Sequence, residues 1–276
     1  RALMKRDEVD VIQFALPVAG DNDIQIINNL RDQVQNLKEM WTGQTPAGIP
    51  MVPDELTEVA FYGREDVAAL LDEGKVPLGL DLETVEPVTW DLKKGNLLYL
   101  TDKEEQMTQF VKQIARSKQK VIVLAPAYNE LPEMEGVTIL STKEAYVAGI
   151  KKMEENIQLR LEQQKSQHEA TIVLYNQLEL MNDLSMDLQS SLNYVLEKGA
   201  RAGYATVAMS GSQLNRKIDE VSKSIKLYKQ AIVAMRITDQ SVLNVINRPV
   251  REEPLDSQVN YYVEDGFVRK VKVLMK

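Results

Sequence analysis

Lys120-Val121-Ile122-Val123-Leu124-Ala125 and Thr171-Ile172-Val173-Leu174-Tyr175-Asn176-Gln177 decide the fold. Each holds a short apolar run, too brief for a helix and lacking the alternation of a strand with one face in water. Asn96–Leu100 and Ala205–Met209 read the same way. A strand apolar on both sides is buried on both sides, the condition of a parallel sheet covered by helices. The segments between them have helical spacing. Asp102–Arg116 is one such segment and Leu188–Lys198 another; Lys143–Gln167 sets Tyr146, Ile150, Met153, Ile157 and Leu161 on one face. Val137–Leu140 and Ala231–Arg236 read as further strands. The expected fold is α/β, a mostly parallel central sheet with helices on both faces, in three layers.

Outward from this centre, Ala2–Leu16 reads as a strand pair turning at Lys5–Glu8. Asp23–Trp41 reads as an amphipathic helix whose stripe is Ile24, Ile27, Leu30, Val34, Leu37 and Trp41, packed by that stripe. Gly43–Pro53, rich in proline and glycine, reads as a linker. Arg64–Asp72 is a short helix, and Val76–Leu82 and Val88–Leu92 are strands. Near the other end Val259–Val263 and Phe267–Leu274 flank Asp265-Gly266, a two-residue hairpin signal because both positions tolerate positive φ. Similar hairpins near both ends point to a piece cut from a tandem array, as does the opening residue, Arg1.

The composition excludes several chemistries. The 276 residues contain no cysteine, so disulfides, thiol nucleophiles and cysteine metal sites are out. The single histidine, His168, lies in the polar run Gln163–Glu169 and reads as exposed surface, so neither a catalytic triad nor a histidine metal site is expected. No apolar run approaches the roughly 20 residues that span a bilayer. The net charge of −8 argues against a surface for nucleic acid, and Arg269-Lys270-Val271-Lys272 reads as the solvated face of an edge strand.

In such a sheet ligands bind beyond the carboxyl ends of the strands. After Asn96–Leu100 a phosphate-binding loop would read G-x-x-x-x-G-K-[S/T]. The sequence there is Thr101-Asp102-Lys103-Glu104-Glu105-Gln106-Met107-Thr108. Thr108 keeps the hydroxyl, both glycines are missing, and Met107 stands in place of the lysine. Asp102, Glu104 and Glu105 would face a triphosphate, at a cost of roughly 1 kcal/mol or more for each close like-charged pair. After the strand Thr171–Tyr175, where an acid would orient Mg²⁺ and a second would activate water, stand Asn176 and Gln177. An amide keeps the shape of a carboxylate but cannot take a proton from water. On these residues alone, Thr171–Tyr175 reads sooner as a plain core strand.

Several segments in order carry a family resemblance. Arg1-Ala2-Leu3 with Ile12-Gln13-Phe14 resembles the closing strands of an FtsK/SpoIIIE-type ATPase module. Gly48–Pro53, Val76–Asp81 and Glu86-Pro87-Val88 resemble the lead-in to such a module's P-loop. Gly199–Ser212 resembles its glycine–arginine strand and sensor loop, with Ala200 where the motif has arginine. Together they resemble the last, C-terminal module of the EssC/EccC motors of type VII secretion, over nearly the whole chain.

The resemblance implies a P-loop NTPase fold and a division into three parts. Residues 1–42 would close the preceding module, 43–75 would be linker and short helix, and 76–276 a degenerate module. It implies no catalytic residue and no cofactor held by this module, with ATP and Mg²⁺ used elsewhere in the parent. Implied partners are neighbouring modules, other copies in a hexamer, and small secreted helical hairpins; no nucleic acid is implied. The implied location is the cytoplasmic part of a membrane-anchored protein. Two alternatives remain at this point. One is an active ATPase with an unorthodox loop. The other is a DNA translocase, disfavoured by the net charge of −8 and the lack of a basic tail.

Overall fold

Ten strands make one sheet because the apolar runs leave the backbone no other way to pair its polar groups in a dry interior. The computed structural model describes residues 2–5, 9–12, 18–43, 50–92, 95–248 and 251–274, the first two stretches as backbone only. The chain divides into two compact units, residues 1–49 and 50–276.

In the first unit, β1 (Ala2–Lys5) and β2 (Val9–Ile12) pair antiparallel. The rest of the expected turn and the stretch to Leu16 lie outside the described residues. The helix α1 (Asp23–Met40) starts at Asn22, whose side chain accepts from Gln25 N–H at 3.0 Å. The expected packing of its stripe is not seen: Ile24, Ile27, Leu30, Val34 and Leu37 are all exposed, and no residue of α1 is buried. Two four-residue strands offer too little surface to cover an 18-residue helix. Residues 44–49 of the expected linker lie outside the described residues.

The second unit opens with α2 (Glu58–Tyr62), which the sequence reading did not anticipate, and α3 (Glu65–Asp72). Leu56, Phe61 and Val67 from this segment are buried with Leu80 and Leu274. Then follow β3 (Val76–Asp81), β4 (Pro87–Trp90), β5 (Leu97–Leu100), α4 (Glu104–Ala115), β6 (Val121–Leu124), β7 (Val137–Leu140) and α5 (Lys143–Glu162). After these come β8 (Ala170–Leu174), α6 (Gln177–Asp183), α7 (Met186–Lys198), β9 (Tyr204–Ser210), α8 (Glu220–Lys226) and β10 (Gln230–Val233), with β11 (Val259–Glu264) and β12 (Phe267–Lys272) last. The sheet order is β4-β3-β12-β11-β10-β5-β9-β8-β6-β7. From β10 to β7 every pairing is parallel, and from β10 to β4 every pairing is antiparallel.

The four strands expected at the centre are β5, β6, β8 and β9, all parallel. Every residue of β5, β8 and β9 is buried. Successive side chains serve opposite faces: Ile172 and Leu174 join the core under α5, α7 and α8, while Val173 and Tyr175 join the core under α4. The sequence read β12 as an edge strand, and that is corrected. It pairs with β11 along its length and with β3 through Val271 and Lys272, so only its first half, with Arg269 and Lys270, is exposed. The helix α5 stops five residues short of the expected Gln167. Gln164 turns left-handed at φ 53° and Lys165 N–H reaches back to Arg160 O at 2.8 Å, closing the helix. The short helices α6 and α8 were also missed.

Geometry requires the glycine at the start of β9. Gly203 has φ 85°, and a Cβ there would stand 2.0 Å from Gln167 O. Gly203→Ala should therefore lower unfolding stability by about 2–3 kcal/mol. Urea denaturation reads this directly, and a loss under about 0.5 kcal/mol would contradict the packing at the start of β9.

Candidate functional site at the strand ends

The carboxyl ends of β5, β8 and β9 open into a cleft of about 310 Å³. Its charged lining is Asp102, Glu104 and Glu179 against one ammonium, Lys217; Tyr128 and Asn176 add polar groups. The helix α4 begins here with its dipole's positive end toward the cleft. Its N-cap residue, Lys103, supplies no side-chain cap, and Glu104 and Glu105 fill the first turn. A carboxylate in that position stabilises a helix by about 0.3–1 kcal/mol.

The loop that the sequence singled out is tied to its surroundings residue by residue. Thr101 is buried, and its hydroxyl donates to Gln106 Oε1 at 2.5 Å and accepts from Lys103 N–H at 3.1 Å. Asp102 Oδ1 accepts from Ser212 N–H at 2.8 Å and from Ser212 Oγ at 3.3 Å. Glu104 Oε1 accepts from Asn176 Nδ2 at 3.2 Å, and Glu104 Oε2 from Asn129 Nδ2 at 3.3 Å. Asn176 Nδ2 also donates to Tyr128 Oη at 3.2 Å. Met107 touches the cleft but is 2% exposed, packed in the core under α4. Tyr175 Oη donates to Glu104 O at 3.2 Å, which leaves it to accept from the Thr108 hydroxyl at 2.9 Å. Lys103 and Glu105 are exposed.

The two amides after β8 part company. Asn176, left-handed at φ 45° and ψ 61°, faces the cleft. Gln177 does not. It is fully buried: its Nε2 donates to Ser222 Oγ at 3.2 Å and its Oε1 accepts from Ser210 Oγ at 3.2 Å, joining α6 to α8 and β9. The sequence reading missed Tyr128 and Asn129, and had Ser212 only as the end of the segment resembling a sensor loop. The signal was present: Tyr128 and Asn129 follow the apolar run of β6 just as Asn176 follows β8. Burial, then the charges of Glu179, Glu104 and Asp183, raise the Tyr128 phenol above its ordinary value, so it is a neutral hydroxyl at pH 7. Burial does the same to Tyr175, opposed by its bond with Thr108. Among the described residues no group of three histidine, cysteine or acidic side chains could hold a metal ion.

The position of Gln177 generates a test. Gln177→Glu puts a carboxyl in a dry site, which raises its folded pKa above the ordinary value near 4.3. The neutral form is tolerated and the charged form is not. The variant should therefore match the parent near pH 4 and lose stability relative to it as pH rises toward 7.5, by roughly 2–4 kcal/mol. Parallel denaturant curves across that range read the difference. A gap independent of pH would contradict the burial of this side chain.

No family model matches the chain. Two curated relatives cover 99% of it. The type VII secretion system protein EssC of Staphylococcus aureus strain MRSA252 is 25% identical over 284 residues, and the ESX secretion system protein YukB of Bacillus subtilis strain 168 is 26% identical over 299. The chain spans only about a fifth of their length, 19% and 20% respectively. EssC (ATPases 2 and 3) from Geobacillus thermodenitrificans superposes with TM-score 0.75 at 22% identity, covering 99% of this chain and 55% of that one. Thermomonospora curvata EccC (ATPases 2 and 3), solved with a signal sequence peptide, gives 0.62 at 16%, covering 93% and 50%. These likenesses are to ATPase domains of the P-loop type, whose three-layer α/β fold the chain shares. The expected fold class is therefore observed, and over nearly its whole length the chain is a homologue of the EssC, YukB and EccC proteins of type VII secretion.

Proposed function

We propose that the second unit is a non-hydrolysing ATPase-type module of a type VII secretion motor, acting through assembly, regulation or substrate recognition. The observation that carries this reading is the state of the α4 N-terminus. Where a triphosphate would need glycine N–H groups and a lysine, the site offers the Glu104 carboxylate, bound to Asn176 and Asn129, and a methionine turned into the core. These residues do not fit Mg²⁺–ATP. Asn176 cannot act as a base, and Gln177 is spent inside the protein.

On this reading the first unit, at least to residue 42, closes the preceding module. The strand pair β1–β2 is antiparallel, as is the hairpin β11–β12, the last two strands of the second unit. The partners are neighbouring modules of the same chain, other copies in a hexamer, and small secreted helical hairpins. The EccC structure solved with a signal sequence peptide supports the last of these, since it shares this fold. The module sits on the cytoplasmic side of a membrane-anchored protein; among the described residues no helix is long and apolar enough to cross a membrane.

Calorimetry with Mg²⁺–ATP tests the reading. Binding should be no tighter than about millimolar, a free energy near −4 kcal/mol, and turnover should be absent. Micromolar affinity with measurable hydrolysis would favour an active ATPase with an unorthodox loop. Restoring the formal motif with Gln106→Gly, Met107→Lys, Asn176→Asp and Gln177→Glu should still yield no turnover, because Asp102 and Glu104 remain and position 177 does not face the cleft.

A further inference from the structure

The acids that would repel a phosphate have other partners, and the pattern of those partners is informative. Both oxygens of Glu104 are used, each on a different strand end. Oε1 takes the amide of Asn176 at the end of β8, at 3.2 Å, and Oε2 takes the amide of Asn129 in the loop after β6, at 3.3 Å. Asp102, two residues earlier, takes Ser212 N–H and Oγ at the end of β9. Both acids stand at the end of β5, so four parallel strands are joined at their mouths by two carboxylates.

Local backbone geometry fits these contacts. Asn176 holds the left-handed conformation, one that asparagine enters more readily than most residues, and from there its amide reaches both Glu104 and Tyr128. At Gly211 a Cβ would lie 2.6 Å from Asp102 Oδ1, so a larger residue there would push this carboxylate from its place. A further tie runs from Ala127 N–H to Asp183 Oδ2 at 3.0 Å, fixing the loop after β6 to α6.

In a working α/β site a bound ligand bridges loops from several strand ends. We propose that Asp102 and Glu104 form an internal latch that joins the ends of β5, β6, β8 and β9 in the way a bound nucleotide would, and so holds this module in one conformation whether or not nucleotide is present. The proposal rests on the reading above that the module binds no nucleotide, and it adds what holds the strand ends together instead. A module latched in this way offers its neighbours a constant surface rather than one that changes with each round of hydrolysis.

Hydrogen exchange on this chain tests the latch, with substitutions at exposed positions that leave the cores untouched. Asp102→Ala should speed exchange of the Ser212 amide and its neighbours through residue 217 by roughly tenfold or more, the effect of losing a charge-assisted bond. Glu104→Ala should do the same in residues 127–131 and 176–180. Exchange in β5 and β8 should not change. Asp102→Asn, which keeps the accepting oxygen, should keep most of the protection at Ser212. Millimolar Mg²⁺–ATP should leave the parent's exchange in these loops unaltered. Loops that exchange alike in the parent and both alanine variants would overturn the latch. So would acceleration spread evenly over the whole unit, which would signal general loosening. The alanine comparison needs no nucleotide, so it judges the latch separately. Micromolar ATP binding by calorimetry would instead sink the reading that the module binds no nucleotide.

Discussion

A parallel strand with both faces dry cannot be half-built, and β8 shows what this demands. All five residues of Ala170–Leu174 are buried, so helices must cover both faces and neighbours must pair both edges. The layers follow from that demand. The helices α5, α7 and α8 cover one side and α4 the other, and the antiparallel strands β11, β12, β3 and β4 extend the sheet beyond β10. Burial stops where the strands stop. Beyond their carboxyl ends the chain must turn, polar groups collect, and any site has to form there.

What forms there depends on how the first turn of α4 is satisfied. The unpaired N–H groups and dipole of a helix start favour negative charge. In a nucleotide site a phosphate supplies it. Here Glu104 and Glu105 lie in that turn by virtue of sequence alone, and Glu104 also gathers amides from two other strand ends. The three acids read from sequence as a repulsive wall are thus two different things. Asp102 and Glu104 are acceptors with partners, and Glu105 is exposed at the helix start. Met107 follows the same logic from the other side: an apolar side chain at that turn joins the core beside Phe110 and Val111.

Much of this was legible in the sequence. The central strands came from apolar runs of four to six residues, a signal that survives because burial on both faces permits little else. The loop between β5 and α4 and the two amides after β8 came from strand ends and spacing. What escaped is physical in each case. The helices α2, α6 and α8 hold only five to seven residues, too few to show a period of 3.6 above chance. The stripe on α1 was readable, but a stripe announces a need for cover and does not guarantee it. The basic run in β12 looked like an edge because charges alternate there, yet Lys272 is buried and β3 pairs beside it. Gln177 looked like a faded catalytic acid, and no one-dimensional pattern could show that the turn at Asn176 directs it inward to Ser210 and Ser222.

If the chain's own carboxylates tie the strand ends together, as proposed, they leave no place for a triphosphate. A crystal structure of this chain grown with millimolar Mg²⁺ and a non-hydrolysable ATP analogue tests it most directly. The expected result is Glu104 bound to Asn176 and Asn129, Asp102 bound to Ser212, and no nucleotide at the start of α4. A triphosphate seated on that turn, with Glu104 swung out to solvent and Met107 drawn from the core, would contradict it.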